Sequence, residues 1–349
     1  MSNRMPVPRL FIAVCASLAT AGCLTDDRER LVVYSPHGKE MLSAYEDAFE
    51  AAYPHVDVQW IDMGGQDAYD RIRTEQSNPQ ASIWWGGANV AFAQAAEQGL
   101  LAPYEPSWAD AVDDTARDSL DRWYGTYLTP EVIAFNSDVL TREEAPADWD
   151  ELLDPEWEGR ILIRYPLASS TMRTIYGALI LRQPDPEAGF RWLARLDRNV
   201  KTYTADPTQL YLRLARGEGD VTLWNLPDIQ LQSDRNGYPF DYIYPTSGTP
   251  VLTDAIAIVA GSRNPDAARA YYEFVTSDSA AVDQAHTFYR IPVRNDIEAS
   301  RLPEWMHREE LVSMPVDWDR LGREGGDWML RWDEEVKGRG ATYLAAGAD

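Results

Sequence analysis

The chain has 349 residues, 45% hydrophobic and 25% charged, which is enough apolar material for two domains of ordinary size and too much for a disordered chain. Asp and Glu number 56 against 32 Lys and Arg, giving a net charge of −24. That balance argues against nucleic acid as a partner, because a phosphate backbone is met by a basic patch, and the acidity itself reads as a solubility feature.

Arg4 and Arg9 precede an apolar run over residues 10–18, and small residues lead to a cysteine in Ala19-Thr20-Ala21-Gly22-Cys23. The run is too short to span a bilayer, which takes about 20 apolar residues, and it has the layout of a secretory signal. Gly22-Cys23 resembles the lipobox of bacterial lipoproteins, although Thr20 stands where that motif most often has Leu. The expectation is a signal peptide over 1–22, acylation at Cys23 and a linker over 23–30. Cys15 falls in the removed segment, so the mature exported chain would keep a single thiol, which acylation accounts for.

Beyond the linker, short β-rich runs alternate with amphipathic helices, the pattern of parallel α/β units. Leu31-Val32-Val33-Tyr34 reads as a buried strand. Met41, Leu42, Tyr45, Phe49 and Ala52 recur at helical spacing until Pro54 stops the helix. Residues 56–61 alternate as a half-buried strand does, and helix and strand signals repeat over 66–76, 81–85 and 89–97. A second set of units begins near Trp149. It comprises strands at 159–163 and 220–224 and helices opening at Ser169, Pro186 and Asp206. An apolar strand over 255–259 and a helix from Asn264-Pro265 to Val275 complete the pattern. The reading is an α/β chain of two lobes, the first over 31–130 and 250–285, the second over 131–249 and 286–349.

Several segments carry a family resemblance in this order: Val32-Val33-Tyr34-Ser35, Gly99-Leu100-Leu101-Ala102-Pro103-Tyr104, Trp149-Asp150-Glu151-Leu152-Leu153-Asp154-Pro155, Gly159-Arg160-Ile161 with Ser169-Ser170-Thr171, Gly217-Glu218-Gly219-Asp220-Val221, and Arg290-Ile291-Pro292-Val293-Arg294. Together they resemble the ferric-ion, sugar-phosphate and phosphonate branch of periplasmic solute-binding proteins. The resemblance implies a clamp with hinge strands between lobes, a ligand in the interlobe cleft, and delivery to an inner-membrane ABC permease. The expected partners are therefore a small solute, that permease and the membrane through the lipid anchor, with the protein itself a monomer in the periplasm or on the outer face of the cell membrane.

In open α/β sheets ligands sit outside the carboxyl ends of the strands, which selects four loops. Ser35 follows the first strand and offers a hydroxyl and an amide. Trp85, Gly86 and Gly87 follow another, the glycines allowing close approach and the indole a stacking face. Trp84 and Trp85 point to opposite faces, so at most one of them faces the cleft, and Trp85, which abuts the glycines, is the candidate. Ser169, Ser170 and Thr171 read either as an anion site at a helix N-terminus or as a plain N-cap. Trp224 reads as a stacking face or as core, and Asp228 as a hydroxyl acceptor or a cap. Asp254 is a further candidate, with Tyr289 and Arg290 near the cleft.

Ferric ion is the alternative ligand. Iron-binding members of the resembled branch supply paired tyrosines, but this chain reads Leu226-Pro227-Asp228 at that place, and Tyr271 and Tyr272 fall at core positions of a helix. The four histidines show no metal-ligand spacing, and no cofactor is expected. No G-x-S-x-G, G-x-x-x-x-G-K-[ST], H-E-x-x-H or G-x-G-x-x-G motif occurs, so no motif points to catalysis. The resemblance implies a receptor, and the helix start over 169–171 suits a small polar solute with a phosphate, phosphonate or carboxylate group.

Overall fold

The computed structural model describes residues 28–306 and 311–346. The expected signal peptide and acylated Cys23 lie outside these residues. In chain order the first lobe opens with β1 (Glu29–Ser35), α1 (Lys39–Ala52), β2 (Val56–Asp62), α2 (Gly65–Thr74), β3 (Ile83–Ala88), α3 (Asn89–Glu97) and β4 (Leu101–Ala102). A 13-residue strand, β5 (Tyr124–Asn136), leads into the second lobe. There follow β6 (Ile161–Arg164), α4 (Ser170–Leu181), α5 (Pro186–Asn199), β7 (Val200–Thr204), α6 (Pro207–Ala215), β8 (Val221–Asn225), α7 (Leu226–Asn236) and β9 (Phe240–Ile243). The chain returns through β10 (Val251–Val259), α8 (Pro265–Val275), α9 (Asp278–Phe288) and β11 (Ile291–Pro292), and ends on α10 (Trp318–Glu335) and α11 (Gly340–Ala346).

The strands run in the order β2-β1-β3-β10-β5-β8-β6-β7, with β4 on β10 and both β9 and β11 on β5. Within the first lobe β2, β1 and β3 are parallel, and β10 lies antiparallel between β3 and β5. In the second lobe β6, β7 and β8 are parallel and β5 is antiparallel to β8. Such sheets are covered on both faces, and their strands are apolar on both sides. In β1, Leu31 and Val33 pack with Tyr45, Phe49 and Trp85, while Val32 and Tyr34 pack on the opposite face with Ala68, Trp84 and Phe92. The second lobe has its own core around Trp149, Leu162, Tyr176, Phe190 and Trp332.

Helix starts follow local chemistry. Asp185, Asp206 and Asn225 each precede a helix with Pro in its first turn, and each accepts from the amide three residues on, at 2.7, 3.2 and 2.9 Å. Asn264 also precedes a Pro-initiated helix, but its amide donates instead to the Arg30 carbonyl at 2.6 Å, tying that helix to the end of the sheet.

The junction between lobes is β5. Its residues Tyr124–Pro130 pair with β10, and from Glu131 to Phe135 it pairs with β8. Glu131 is thus the first residue of the strand to belong to the second sheet. Its backbone is held there by the Pro250 carbonyl, which accepts its N–H at 3.0 Å, and by the Thr249 hydroxyl, which donates to its carbonyl. At the rim, α10 packs on α4 and its first turns reach α3, where a Cβ on Gly322 would lie 2.9 Å from Val90 Cγ2.

Candidate ligand-binding site

Between the lobes lies a cavity of about 490 Å³. Its first-lobe wall is built by loops at the carboxyl ends of β1, β2 and β3, which bring Pro36, His37, Gly65, Gln66 and Gly87 to the surface. Thr171 and Arg173 at the start of α4 and Asn225 and Asp228 at the start of α7 form the opposite wall. The floor is the hinge itself, with Thr129 and Glu131 from β5, Leu252 and Asp254 from β10, and Arg290 just past α9.

Five of the sequence candidates, Gly87, Thr171, Asp228, Asp254 and Arg290, line this cavity. Ser169 stands behind it as the N-cap of α4, its hydroxyl accepting from the Met172 amide at 3.2 Å, and Ser170 is the first residue of that helix. Ser35 is fully buried, and its hydroxyl accepts from the His37 amide at 3.2 Å, so it fixes the turn rather than reaching the cleft. Gly86 has φ 99° and a Cβ there would lie 2.6 Å from the His37 ring, so this glycine makes room for that histidine.

The two tryptophan assignments are corrected. Trp85 is 0% exposed and packs edge-on against His37 and Tyr45, with ring centroids 5.0 and 5.7 Å away. Trp84 turns the other way and stacks on Phe92 at 3.6 Å. Neither of the pair faces the cleft, because β3 is an interior strand with a packed layer on each face. Trp224 is likewise buried, under the cavity wall, where its indole N–H donates to Asp228 at 3.0 Å.

The cavity carries an unusual concentration of carboxyl groups. Asp228 Oδ2 accepts from Trp224 Nε1 and Asn225 Nδ2 at 3.0 Å and from the Tyr211 hydroxyl at 3.3 Å. Asp254 takes the Gly87 amide at 3.1 Å and the Thr129 hydroxyl at 3.2 Å. Burial raises the Asp254 carboxyl above its ordinary range, against the opposing pull of Arg290 and these two donors. Glu131 is 1% exposed, and among the described residues its Oε2 has no hydrogen-bond partner. Burial first, then the charges of Asp228 and Asp254, push its carboxyl well above the ordinary range. His37 is pushed the other way, first by burial and then by Arg290, so the imidazole is held neutral, and its Nε2 is also without a partner. Arg173 and Arg290 supply the positive charge of the cavity.

Glu131, His37 and Arg173 were not singled out as ligand-binding residues from sequence. Glu131 had a legible signal, a lone carboxylate heading the apolar run Val132-Ile133-Ala134-Phe135, because an acid buried in such a run needs a reason. Arg173 had none beyond its place in the helix that Ser169 caps. Among the described residues no three His, Cys, Asp or Glu side chains converge as a metal site would require, and Tyr271 and Tyr272 are buried in the first-lobe core.

Residues 87–321 match the family described as bacterial extracellular solute-binding protein. A probable ABC transporter periplasmic-binding protein, y4fP of Sinorhizobium fredii, is 27% identical over 331 residues, covering 94% of this chain and 92% of its own. A putative 2-aminoethylphosphonate-binding periplasmic protein of Salmonella typhimurium is 25% identical over 260 residues, 73% of this chain and 74% of that one. Among solved structures, the periplasmic binding protein AfuA of Actinobacillus pleuropneumoniae, with exogenous fructose-6-phosphate bound, superposes with a TM-score of 0.72 at 25% identity, covering 88% of this chain and 99% of AfuA. With two α/β lobes, crossing strands and a cleft at the hinge, the chain belongs to the bacterial extracellular solute-binding proteins that serve ABC transporters.

Proposed function

We propose that this protein captures a small polar organic solute whose phosphate, phosphonate or carboxylate group sits at the start of α4. The observation that carries the reading is that α4 opens onto the cavity with Thr171 and Arg173 on its first turn. The first amides of a helix have no acceptor within it, and its dipole favours negative charge there. Arg173, whose guanidinium donates to the Leu167 carbonyl at 2.9 Å, lines the same wall and offers its remaining N–H groups for charge-assisted hydrogen bonds. Relatives whose names mention 2-aminoethylphosphonate and fructose-6-phosphate are in keeping with this class. The site residues proposed are Gly87, Ser170, Thr171, Asp228 and Asp254, joined by Arg173, Arg290, His37 and Glu131.

The remaining assignments belong to the same reading. The protein binds its solute without catalysing any reaction, works as a monomer and hands the solute to an inner-membrane permease. It is exported by the segment over 1–22 and anchored through an acylated Cys23. Its lobes are 31–130 with 250–285, and 131–249 with 286–349, the boundary near 286–293 being shared. Ile291 joins the second-lobe core there and Val293 the first.

The test is isothermal titration with fructose 6-phosphate and 2-aminoethylphosphonate. A Thr171→Ala, Arg173→Ala double variant should weaken the binding of the responding anion by at least about tenfold, since one charge-assisted contact is worth about 1.5–3 kcal/mol. Unchanged affinity in a folded double variant removes the anion assignment.

A further inference from the structure

The charge inside the cavity does not suit a ligand that is anionic throughout. Arg173 and Arg290 face Asp228, Asp254 and Glu131, and the one histidine is neutral. The carboxyls are not equivalent. Asp228 and Asp254 are occupied by donors from the protein, three and two respectively. Glu131 lies at the crossing of the hinge strand, is closed off from solvent and lines the cavity, yet among the described residues no group donates to its Oε2. A buried acceptor left unmade costs about 1–3 kcal/mol, more for a charged group. A second unpartnered polar atom, His37 Nε2, lines the same chamber, from the β1–α1 loop.

We propose that Glu131 is the seat of a ligand ammonium group, so that the captured solute is a zwitterion with its cationic nitrogen at the hinge and its anionic group at α4. This rests on the reading of the cavity as the ligand site, and it extends that reading from the anionic end of the solute to the other. Two features support it. The ammonium supplies the donor that Glu131 Oε2 lacks, and it lies in the combined field of Asp228 and Asp254. Its position on β5 also means that the group met by the nitrogen belongs to the strand that joins the lobes.

A consequence in protons follows. The charged groups around Glu131 are Asp228 from α7, Asp254 from β10, Arg290 after α9 and Arg173 from α4, with neutral His37 opposite. Two of these are the carboxylates that, after burial, push the Glu131 carboxyl well above its ordinary range. An arriving ammonium favours the ionised carboxylate, so one proton passes from the Glu131 carboxyl to solvent as the ligand is seated.

The experiment compares matched ligands on the full chain. 2-Aminoethylphosphonate is set against propylphosphonate, its methyl isostere, and glucosamine 6-phosphate against glucose 6-phosphate, by titration calorimetry in two buffers of different ionisation enthalpy. The expected result is that the amine of a responding pair binds at least about tenfold tighter than its partner, the scale of one charge-assisted hydrogen bond, and that the heats reveal proton release for the amine alone. Glu131→Gln should collapse that ratio to within about threefold and abolish the release. Equal affinity within each pair, no amine bound at all, or an undiminished ratio in Glu131→Gln overturns the proposal. Should Glu131→Gln fail to fold, the affinity ratio of the amine to its matched partner on the unaltered chain decides, equal affinity overturning the proposal. Ethanolamine or spermidine bound in a Glu131-dependent manner would uphold the ammonium seat while sinking the anion site at α4. An unchanged affinity in Thr171→Ala, Arg173→Ala sinks only the latter.

Discussion

Gly86→Ala offers a way to weigh the first-lobe wall of the cavity. The residue has φ 99°, where an L side chain costs about 1–2 kcal/mol. A Cβ there would also lie 2.6 Å from both Cε1 and Nε2 of His37 and 2.9 Å from Pro36 Cδ. The imidazole cannot step aside freely, because it is wedged edge-on between Trp85 at 5.0 Å and Tyr127 at 5.3 Å. Forcing a methyl into such a place costs a further 1–3 kcal/mol or so. The gain from a stiffer unfolded chain returns only about 0.4–1 kcal/mol. The net expectation is a loss of roughly 2–4 kcal/mol. Gly99→Ala is the control, since it has φ 70° and no atom within 4 Å of the added Cβ, leaving only the backbone strain. Urea unfolding of both variants should place Gly86→Ala below Gly99→Ala by about 1–3 kcal/mol, the overpacking share alone. Equal losses would show that His37 is not held where the structure puts it, and the argument for a rigid wall would fail.

Other expectations follow from the same packing and charge. Trp85→Ala should destabilise the chain by about 3–5 kcal/mol in urea unfolding, the cost of emptying a buried aromatic site; a variant of normal stability that loses only ligand binding would restore the stacking role. Trp224→Phe should destabilise by about 1.5–3 kcal/mol, because it withdraws an indole donor from the Asp228 carboxylate, and an unchanged melting temperature would contradict this. Gly189→Ala, where a Cβ would lie 2.8 Å from Ile180 Cα between α5 and α4, should cost about 1–3 kcal/mol by thermal unfolding. For pH, Glu131 binds its proton more tightly in the folded chain than its ordinary 4.5, so its contribution to stability is full below that value and lost as pH rises through the folded one. Glu131→Gln should therefore be more stable than the parent near pH 7, with the gap closing toward pH 4. His37 acts in the opposite sense: held neutral, it lets stability fall as pH drops below 6.5, and unfolding of His37→Gln across pH 5–7 should lack that share.

The alternation of strand and helix was legible because both periods were written in apolar residues. Residues 89–97 were read as a helix and form α3, and the Pro-initiated helices of the second lobe begin where their Asx caps stand. The hinge strand β5 was not anticipated. Its two halves serve different sheets, so no single face of the run 124–136 carries a period. The 18-residue α10 also escaped notice, its charged composition concealing the buried stripe of Trp328, Met329 and Trp332. For the cavity, loops at strand ends were the right place to look, and Gly87, Thr171 and Asp228 came from that rule, Asp254 being a further candidate on the returning strand. Trp85 and Trp224 did not follow it, because a large aromatic beside a loop is drawn first into the nearest core. Glu131 was missed because its meaning depends on two strands brought together from positions 131 and 251.

The most direct test of the account is a thermal-shift measurement on the full chain against phosphorylated sugars, aminophosphonates, small carboxylates, polyamines and ferric ion with carbonate. A ligand present at a hundred times its Kd adds about 2.7 kcal/mol to the folded state, an upward shift of several degrees. The account predicts that shift from a phosphate, phosphonate or carboxylate compound, and an amine-bearing member should give the largest. A shift from ferric ion alone, with none from any organic anion, would contradict the reading of the cavity while leaving the fold and family as they are.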